Sequence, residues 1–198
     1  MNLNLPYNFY YMTRMLKDKL VNRIYDAYNI ENYAVNRMDN INIGFLGSMY
    51  NLTYDSTYII DNIYLGNAYN ASNWINLDSN NIGLIINITK EIPNYYINDI
   101  EYYNICIKDT NDSDILSHLD DFIEKIELYN NSNSEKQNIL IHCYMGSSRS
   151  ASLVVGYLCK FKKMKVDEAI YFIKNKRNLV NINTKFIEDL KKWNNDND

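Results

Sequence analysis

Three short apolar runs constrain the fold of this chain more than any other feature of its sequence. They lie at residues 83–88, 102–107 and 138–142, each next to polar or turn-forming residues. An apolar run of this length is typical of a strand buried on both faces, as in a parallel sheet covered by helices. Because segments with helical periodicity separate the runs, the sequence predicts an α/β fold with a largely parallel central sheet flanked by helices.

The segments between the runs carry apolar side chains every three or four residues, which is the spacing of one helix face. A strand pair or bent strand is predicted at 58–65, ended by Gly66. An extra N-terminal helix is predicted from the apolar stripe Phe9, Met12, Leu16, Leu20 and Ile24. The predicted helices lie at 9–30, 68–77, from Ser113 or Asp114 to about 129, 148–161, 166–176 and 183–193.

The length of 198 residues suits one compact domain with a modest appendage. Residues 31–56 show no sustained hydrophobic period and are predicted to connect the N-terminal helix to the rest of the chain. We therefore divide the sequence into an N-terminal helical extension and tether, 1–56, and a folded domain, 57–198.

Composition and charge exclude several classes of protein. A net charge of −4 and a pI near 5.2 argue against nucleic-acid binding, which needs a phosphate-neutralising surface. No apolar run approaches the roughly 20 residues that span a bilayer, and the N-terminus has no signal-peptide pattern. Three cysteines are too few for a disulfide framework and fit a reduced compartment. We expect an intracellular, cytoplasmic protein that is not secreted and has no membrane or nucleic-acid partner.

Residues 139–150 combine a strand, a short loop and the start of a helix. Such a loop can direct its N–H groups and the helix N-terminus at one spot, which favours a bound anion. Cys143 lies at the entrance, where the same field favours the nucleophilic thiolate. Arg149 supplies a planar fork for two phosphate oxygens, and Gly146 lets the backbone approach the ligand. This pattern is typical of phosphoryl transfer to cysteine. No cluster of His, Cys and carboxylates has metal-ligand spacing, so neither a metal nor another cofactor is expected.

The order His142-Cys143, five residues, Arg149-Ser150 matches the His-Cys-x5-Arg-Ser/Thr signature of cysteine-based protein phosphatases. Its surroundings resemble the dual-specificity branch of that superfamily. The resemblance implies the cysteine-phosphatase fold and the hydrolysis of phosphotyrosine and phosphoserine or phosphothreonine in proteins through a phosphocysteine. It covers about residues 57–193, in successive blocks at 62–67, 85–89, 150–158, 168–177 and 183–190.

The resemblance also implies roles for the residues of the signature. Cys143 would attack phosphorus, while Arg149 and the backbone N–H groups of 144–149 would hold the equatorial oxygens. His142 would organise the loop and help to tune the thiolate, or satisfy loop carbonyls as an ordinary core imidazole. Ser150 would hydrogen-bond the departing sulfur, or act as a plain first-turn serine. The implied substrate-binding residues are Tyr144, Met145, Gly146, Ser147, Ser148 and Arg149.

A general acid must protonate the leaving oxygen from a different loop. Asp109, Asp112 and Asp114 compete for this role in the polar segment after the 102–107 run. Asp114 is best placed to cap the next helix. Asp109 takes the position of the family's general acid, 34 residues before Cys143, and is therefore our prediction.

Two alternatives to a protein phosphatase are weighed. One is a phosphatase-like module that binds phosphoproteins without turnover, and the other is a phosphatase of a non-protein ester.

The apolar face of the N-terminal helix either packs on its own domain or pairs two chains, as in some viral relatives. Cys106 and Cys159 are predicted as buried packing residues, with a protective disulfide between Cys106 and Cys143 as the alternative.

Overall fold

A five-stranded sheet lies at the centre of the protein in its computed structural model, which describes residues 55–132 and 134–196. Numbered along the chain, the strands are β1 (Thr57–Ile60), β2 (Ile63–Gly66), β3 (Ile82–Asn87), β4 (Glu101–Asn104) and β5 (Asn138–His142). Their spatial order is β1-β2-β5-β3-β4. β1 pairs antiparallel with β2, and every other neighbouring pair is parallel. The predicted α/β class with a largely parallel sheet is confirmed.

The described residues also form six helices and one 3-10 turn, and three of the helices follow the last strand. The 3-10 turn covers Leu116–His118. The helices are α1 (Ala68–Ser72), α2 (Trp74–Ser79), α3 (Leu119–Ser132), α4 (Arg149–Lys162), α5 (Val166–Lys176) and α6 (Thr184–Asp196). The bounds of α5 coincide with the predicted ones, because the Glu168 carboxylate accepts the N–H of Lys165 (3.0 Å) and so fixes the first turn.

Two hydrophobic clusters cover the two faces of the sheet, because successive strand residues point to opposite faces. Leu84 and Ile86 of β3 pack with α3 to α6 in the larger cluster, which includes Phe186. Ile85 and Leu140 pack with α1 and α2 in the smaller one. Every residue of β3 is therefore buried, as its largely apolar sequence predicts.

The prediction of one helix at 68–77 is wrong. The side chain of Asn73 accepts hydrogen bonds from the N–H groups of Ile75 (3.1 Å) and Asn76 (3.4 Å), so it starts a second helix. Its own backbone is extended, which ends α1. An N-cap residue thus divides the segment into two short helices.

The predicted strand at 102–107 is shorter than expected, and this changes the position of Cys106. The N–H of Ile105 bonds to the carbonyl of Asn87, the last residue of β3 (2.9 Å). Beyond that point β4 has no neighbour to pair with, and the chain leaves the sheet. Cys106 is exposed, so its predicted burial within a strand is wrong, whereas Cys159 is buried as predicted.

The predicted N-terminal helix at 9–30 and most of the connection at 31–56 lie outside the described residues. The division of the chain at residues 56 and 57 stays a prediction. In the part of the chain that the structure describes, no helix is both long and apolar enough to cross a membrane.

Candidate active site

The position of Cys143 follows from the order of the strands. β5 lies between β2 and β3, and its last residue, His142, is in register with Gly66 of β2 and Asn87 of β3. The carboxyl ends of three strands therefore meet where β5 ends. Residues 143–148, which we call the Cys143 loop, leave the sheet at this edge and lead directly into α4. Such an edge is where α/β sheets bind their ligands.

The Cys143 side chain is only 2% exposed, and its sulfur accepts two hydrogen bonds. One comes from the backbone N–H of Gly146 and the other from the hydroxyl of Ser150, both at 3.2 Å. Donors aimed at a sulfur, together with the positive end of α4, stabilise negative charge on it. Ser150 is thus within hydrogen-bonding distance of the sulfur, and its role in breaking the S–P bond stays a prediction.

Gly146 has a φ of 64°, a left-handed conformation that favours glycine. A Cβ at this position would lie 2.3 Å from the carbonyl oxygen of Gly66 and 2.9 Å from Nη2 of Arg177. The loop therefore crosses directly over β2 and over the Arg177 guanidinium. A second contact ties the loop to α1, where the N–H of Ala68 donates to the carbonyl of Tyr144 (3.1 Å).

His142 is buried, with Nδ1 placed 3.3 Å from the carbonyl oxygen of Cys143. Burial is the main cause that lowers the pKa of His142 to about 4, and the nearby positive charge of Arg149 contributes in the same direction. The imidazole is therefore uncharged at neutral pH. His142 acts on the loop through hydrogen bonding and packing, and it adds no positive charge beside Cys143.

We expect His142 to make the free energy of unfolding rise with pH between about 4 and 6.5. In this range the unfolded imidazole, with a pKa of 6.5, binds a proton that the folded one, with a pKa of about 4, does not bind. The shift corresponds to about 3 kcal/mol in the free energy of unfolding. This contribution is present above the pKa of the unfolded imidazole and is lost as the pH falls through the pKa of the folded imidazole. Denaturant unfolding of the wild type and of His142→Asn across this range measures the effect, since asparagine does not titrate.

The matched control is His118→Gln, because His118 is the chain's only other histidine. It lies half-buried at the 3-10 turn. His118→Gln should keep the pH dependence of the wild type, and His142→Asn should lose most of the rise. Equal rises in His142→Asn and wild type would contradict the prediction.

Arg149 is buried and already has partners across the site. Its Nη1 donates to a carboxylate oxygen of Glu91 (2.8 Å) and to the carbonyl of Ile107 (3.2 Å). Burial by itself would raise the pKa of Glu91, but the hydrogen bond and charge of Arg149 hold it below its usual value. Nε of Arg149 is buried without a hydrogen-bond partner among the described residues. Protein oxygens thus position Nη1 of the guanidinium, while Nε has no acceptor among the described residues.

The three candidate aspartates differ in their contacts. Asp109 accepts a hydrogen bond from the hydroxyl of Ser148 in the Cys143 loop (2.8 Å). Asp114 accepts from the N–H groups of Leu116 (3.0 Å) and Ser117 (3.1 Å), so it caps the 3-10 turn before α3 and not, as predicted, the helix itself. Asp112 lines a separate surface cavity of about 200 Å³ with Lys185 and Asp189. The structure therefore brings Asp109 to the loop.

Most side chains of the Cys143 loop point away from the sulfur. Tyr144 and Met145 are 58% and 59% exposed. The hydroxyl of Ser147 donates to the carbonyl of Leu179 (2.8 Å), and that of Ser148 accepts the N–H of Asn183 (3.1 Å). These contacts fasten the loop to the segment between α5 and α6. What the loop offers to a ligand is mainly its backbone N–H groups.

Sequence reasoning missed two residues of the site. Glu91 lies in the loop after β3 and contacts Arg149 across 58 positions, and no local pattern marks it. Arg177 lies in the block of resemblance at 168–177, but no local pattern marks it as the donor to the carbonyl of Gly146 (3.0 Å). In the described ranges no group of three His, Cys, Asp or Glu side chains is arranged to hold a metal ion.

Comparison with known proteins gives consistent matches. Residues 63–196 match the family model described as "Dual specificity phosphatase, catalytic domain". Protein phosphatase Slingshot of Drosophila melanogaster is 33% identical over 137 residues, which make up 69% of this chain and 13% of that protein. Dual specificity protein phosphatase 1-A of Xenopus laevis is 33% identical over 132 residues, or 67% of this chain and 35% of that protein.

The fold has a counterpart among solved structures. A crystal structure of DUSP15 superposes with a TM-score of 0.66 and 28% sequence identity, covering 71% of this chain and 88% of that one. The chain spans only a minor part of the length of the Slingshot relatives, 13% in the Drosophila case. What is similar is therefore one domain of those longer proteins.

Proposed function

The chain belongs to the dual-specificity phosphatase family, whose catalytic-domain model matches most of its length, and we propose that it hydrolyses phosphotyrosine and phosphoserine or phosphothreonine in proteins. One observation carries the proposal. The buried sulfur of Cys143 accepts two hydrogen bonds in a loop that opens into the N-terminus of α4, beside the buried guanidinium of Arg149. This arrangement supports a role for Cys143 as a nucleophile within a site for a dianion.

In the first step the Cys143 thiolate attacks phosphorus, so that an S–P bond forms and the P–O bond to the leaving group breaks. Asp109 gives its proton to the leaving oxygen. The backbone N–H groups of the Cys143 loop and the guanidinium of Arg149 hold the equatorial oxygens, where negative charge develops in the transition state.

In the second step water attacks the phosphocysteine and the S–P bond breaks. Asp109, now a carboxylate, accepts a proton from that water, in the reverse of its first role. The Ser150 hydroxyl donates to the departing sulfur, which its 3.2 Å contact with Cys143 supports. Inorganic phosphate leaves, and the thiolate is restored.

Arg149 is prepared for this role by its protein partners. Glu91 and the Ile107 carbonyl hold Nη1, which fixes the plane of the guanidinium before a ligand arrives. Its buried Nε has no hydrogen-bond partner in the described residues. A buried N–H without an acceptor costs free energy, which a phosphate oxygen would recover on binding.

The contacts favour turnover over the two alternatives. A pure binding module needs the anion site alone. Here the Cys143 loop itself contains a nucleophile, and the carboxyl group of Asp109 contacts that loop. Phosphate release from a generic aryl phosphate, a phosphotyrosine peptide and a phosphoserine peptide tests the proposal. Binding of both peptides without release from any of the three would support the binding module. Release from the aryl phosphate alone would support a non-protein ester as substrate.

We also propose that the protein acts in the cytoplasm on phosphoproteins. We further propose that it pairs with a second copy through the N-terminal helix predicted at 9–30. A reduced compartment keeps a nucleophilic cysteine as a thiol, and the apolar stripe of an isolated helix needs a partner. Light scattering on the full chain should give about twice its mass of 23.4 kDa. A monomer at micromolar concentration contradicts the pairing. A dimer that persists in the truncated chain 57–198 assigns it to another surface.

A further inference from the structure

Arg177 is a buried cation that packs beneath the Cys143 loop. It follows α5 as its C-cap residue and is only 2% exposed. Nε donates to the carbonyl of Gly146 (3.0 Å), and Nη1 donates to the hydroxyl of Thr57 in β1 (3.1 Å). Nη2 is buried with no hydrogen-bond partner in the described part of the chain. The guanidinium thus links the loop to the first strand of the sheet.

The charge of Arg177 has no carboxylate partner within 4 Å among residues 55–132 and 134–196. A buried guanidinium stays protonated, and an uncompensated buried charge is costly. Burial lowers the pKa of Arg177, and the opposite charge of Cys143 raises it. Gly146 contacts both side chains, so the thiolate form of Cys143 would be the nearest anion to this cation.

The other charges around Cys143 do not take this role. Arg149 forms an ion pair with Glu91 at 2.8 Å, so the net charge of that pair is close to zero before a substrate binds. His142 is uncharged at neutral pH, since its pKa is about 4. Asp109 carries a carboxyl group, not a cation, and contacts the loop through the hydroxyl of Ser148. Arg177 remains as the unbalanced positive charge near the sulfur.

Gly146 connects Arg177 to the nucleophile. Its N–H donates to the Cys143 sulfur (3.2 Å), while its carbonyl accepts from Nε of Arg177. Because Arg177 holds the carbonyl of Gly146, the backbone of this residue keeps the conformation that directs its N–H towards the sulfur. A lysine at this place could not donate to Gly146 and Thr57 in two fixed directions, whereas a planar guanidinium does so.

The amino-acid usage of the chain supports a specific requirement for arginine. The sequence has 15 lysines and only five arginines. Within the described residues the arginines are Arg149 and Arg177, and both contact the groups that form the site. Lysine is the usual cation of this chain at exposed positions, so a buried arginine indicates that the fork geometry is needed.

We propose that Arg177 is a positioning residue of the phosphatase site, which turns the Gly146 N–H towards Cys143 and supplies the positive charge that keeps the Cys143 sulfur anionic. Its effect on turnover rests on the proposed function, but its effect on the thiolate does not. A measurement on the thiolate therefore separates failure of this proposal from failure of the phosphatase assignment.

The test is the pH dependence of alkylation of Cys143 by iodoacetamide, read from the mass of the Cys143 peptide in the full-length protein. Arg177→Gln removes the charge and keeps a donor for the Gly146 carbonyl. It should move the pH midpoint of alkylation up by about one unit or more, since loss of a nearby opposite charge has an effect of this size. Arg177→Lys keeps the charge but loses the fork that positions Gly146, so its midpoint should rise by less than that of Arg177→Gln, by about half a unit at most.

The matched control is Lys174→Gln, which removes the same charge from an exposed position on α5. Its midpoint should equal that of the wild type. A folded Arg177→Gln with the wild-type midpoint overturns the proposal, and so does an Arg177→Lys whose midpoint rises as far as that of Arg177→Gln. If Arg177→Gln does not fold, Arg177→Lys decides alone: a rise of about half a unit at most supports the proposal, and a rise of about one unit overturns it.

Discussion

Cys143→Ser is expected to abolish phosphate release while the protein still binds inorganic phosphate or tungstate. The variant removes only the nucleophile, because the donors that form the anion site belong to other residues. The N–H of Gly146, the hydroxyl of Ser150 and the guanidinium of Arg149 all remain. Binding should therefore change little, and hydrolysis should fall by about 10⁴-fold or more, as in other enzymes that lose their nucleophile.

A serine at position 143 cannot replace the thiolate, because a hydroxyl needs a general base to become a nucleophile. His142 is the nearest imidazole, but its Nδ1 faces the carbonyl of residue 143 and its Nε2 is buried without a partner among the described residues. It is not placed to take the proton of a side chain at that position. Steady-state phosphate release and calorimetric binding of tungstate measure the two halves of the prediction.

Cys106→Ser is the control for this substitution, since Cys106 is an exposed cysteine outside the Cys143 loop. It should retain wild-type activity under reducing conditions. Full activity in Cys143→Ser would overturn the mechanism. Loss of tungstate binding together with hydrolysis would show that the sulfur is also needed to hold the loop in shape.

The central part of the fold is predictable because its signals are local. The central residues of β3 and β5 are buried on both faces, so their sequences are mostly apolar. The helix predicted at 166–176 is found as α5, since its capping residues and its apolar stripe agree. The prediction fails at 68–77, where Asn73 acts as an N-cap. With 33 asparagines in the chain, one that caps a helix has no distinctive sequence signal.

The candidate site likewise contains residues that the sequence identifies and residues that it does not. Cys143, Gly146, Arg149 and Ser150 lie close together in the sequence, so their spacing alone indicates an anion-binding loop. Glu91 and Arg177 reach the same place from 58 and 31 positions away, through the order of strands and the docking of α5. Hydrophobic periodicity assigns elements but does not specify which strand ends lie side by side. These supporting residues become visible only in three dimensions.

Asp109→Asn is expected to slow hydrolysis mainly for substrates with poor leaving groups. An alkoxide from phosphoserine needs a proton as it departs, and the Asp109 carboxyl is the group that the structure places against the Cys143 loop. The loss for a phosphoserine peptide should be about 10²-fold to 10⁴-fold, the usual contribution of general acid catalysis. A nitrophenyl phosphate should lose much less, because its phenolate leaves without protonation. The ratio of kcat/KM values for the two substrates is the measurement, because kcat/KM includes the departure of the leaving group but not the shared hydrolysis of the phosphocysteine.

Asp112→Asn is the matched control, because Asp112 lies three residues away and lines the surface cavity next to Lys185 instead of the Cys143 loop. It should leave both rates close to those of the wild type. Asparagine at position 109 can still accept the hydrogen bond of the Ser148 hydroxyl, so the loop should keep its conformation and tungstate affinity. A leaving-group dependence that appears in Asp112→Asn and not in Asp109→Asn would move the general acid to Asp112. Equal losses for both substrates in Asp109→Asn would mean that Asp109 shapes the loop and does not transfer the proton.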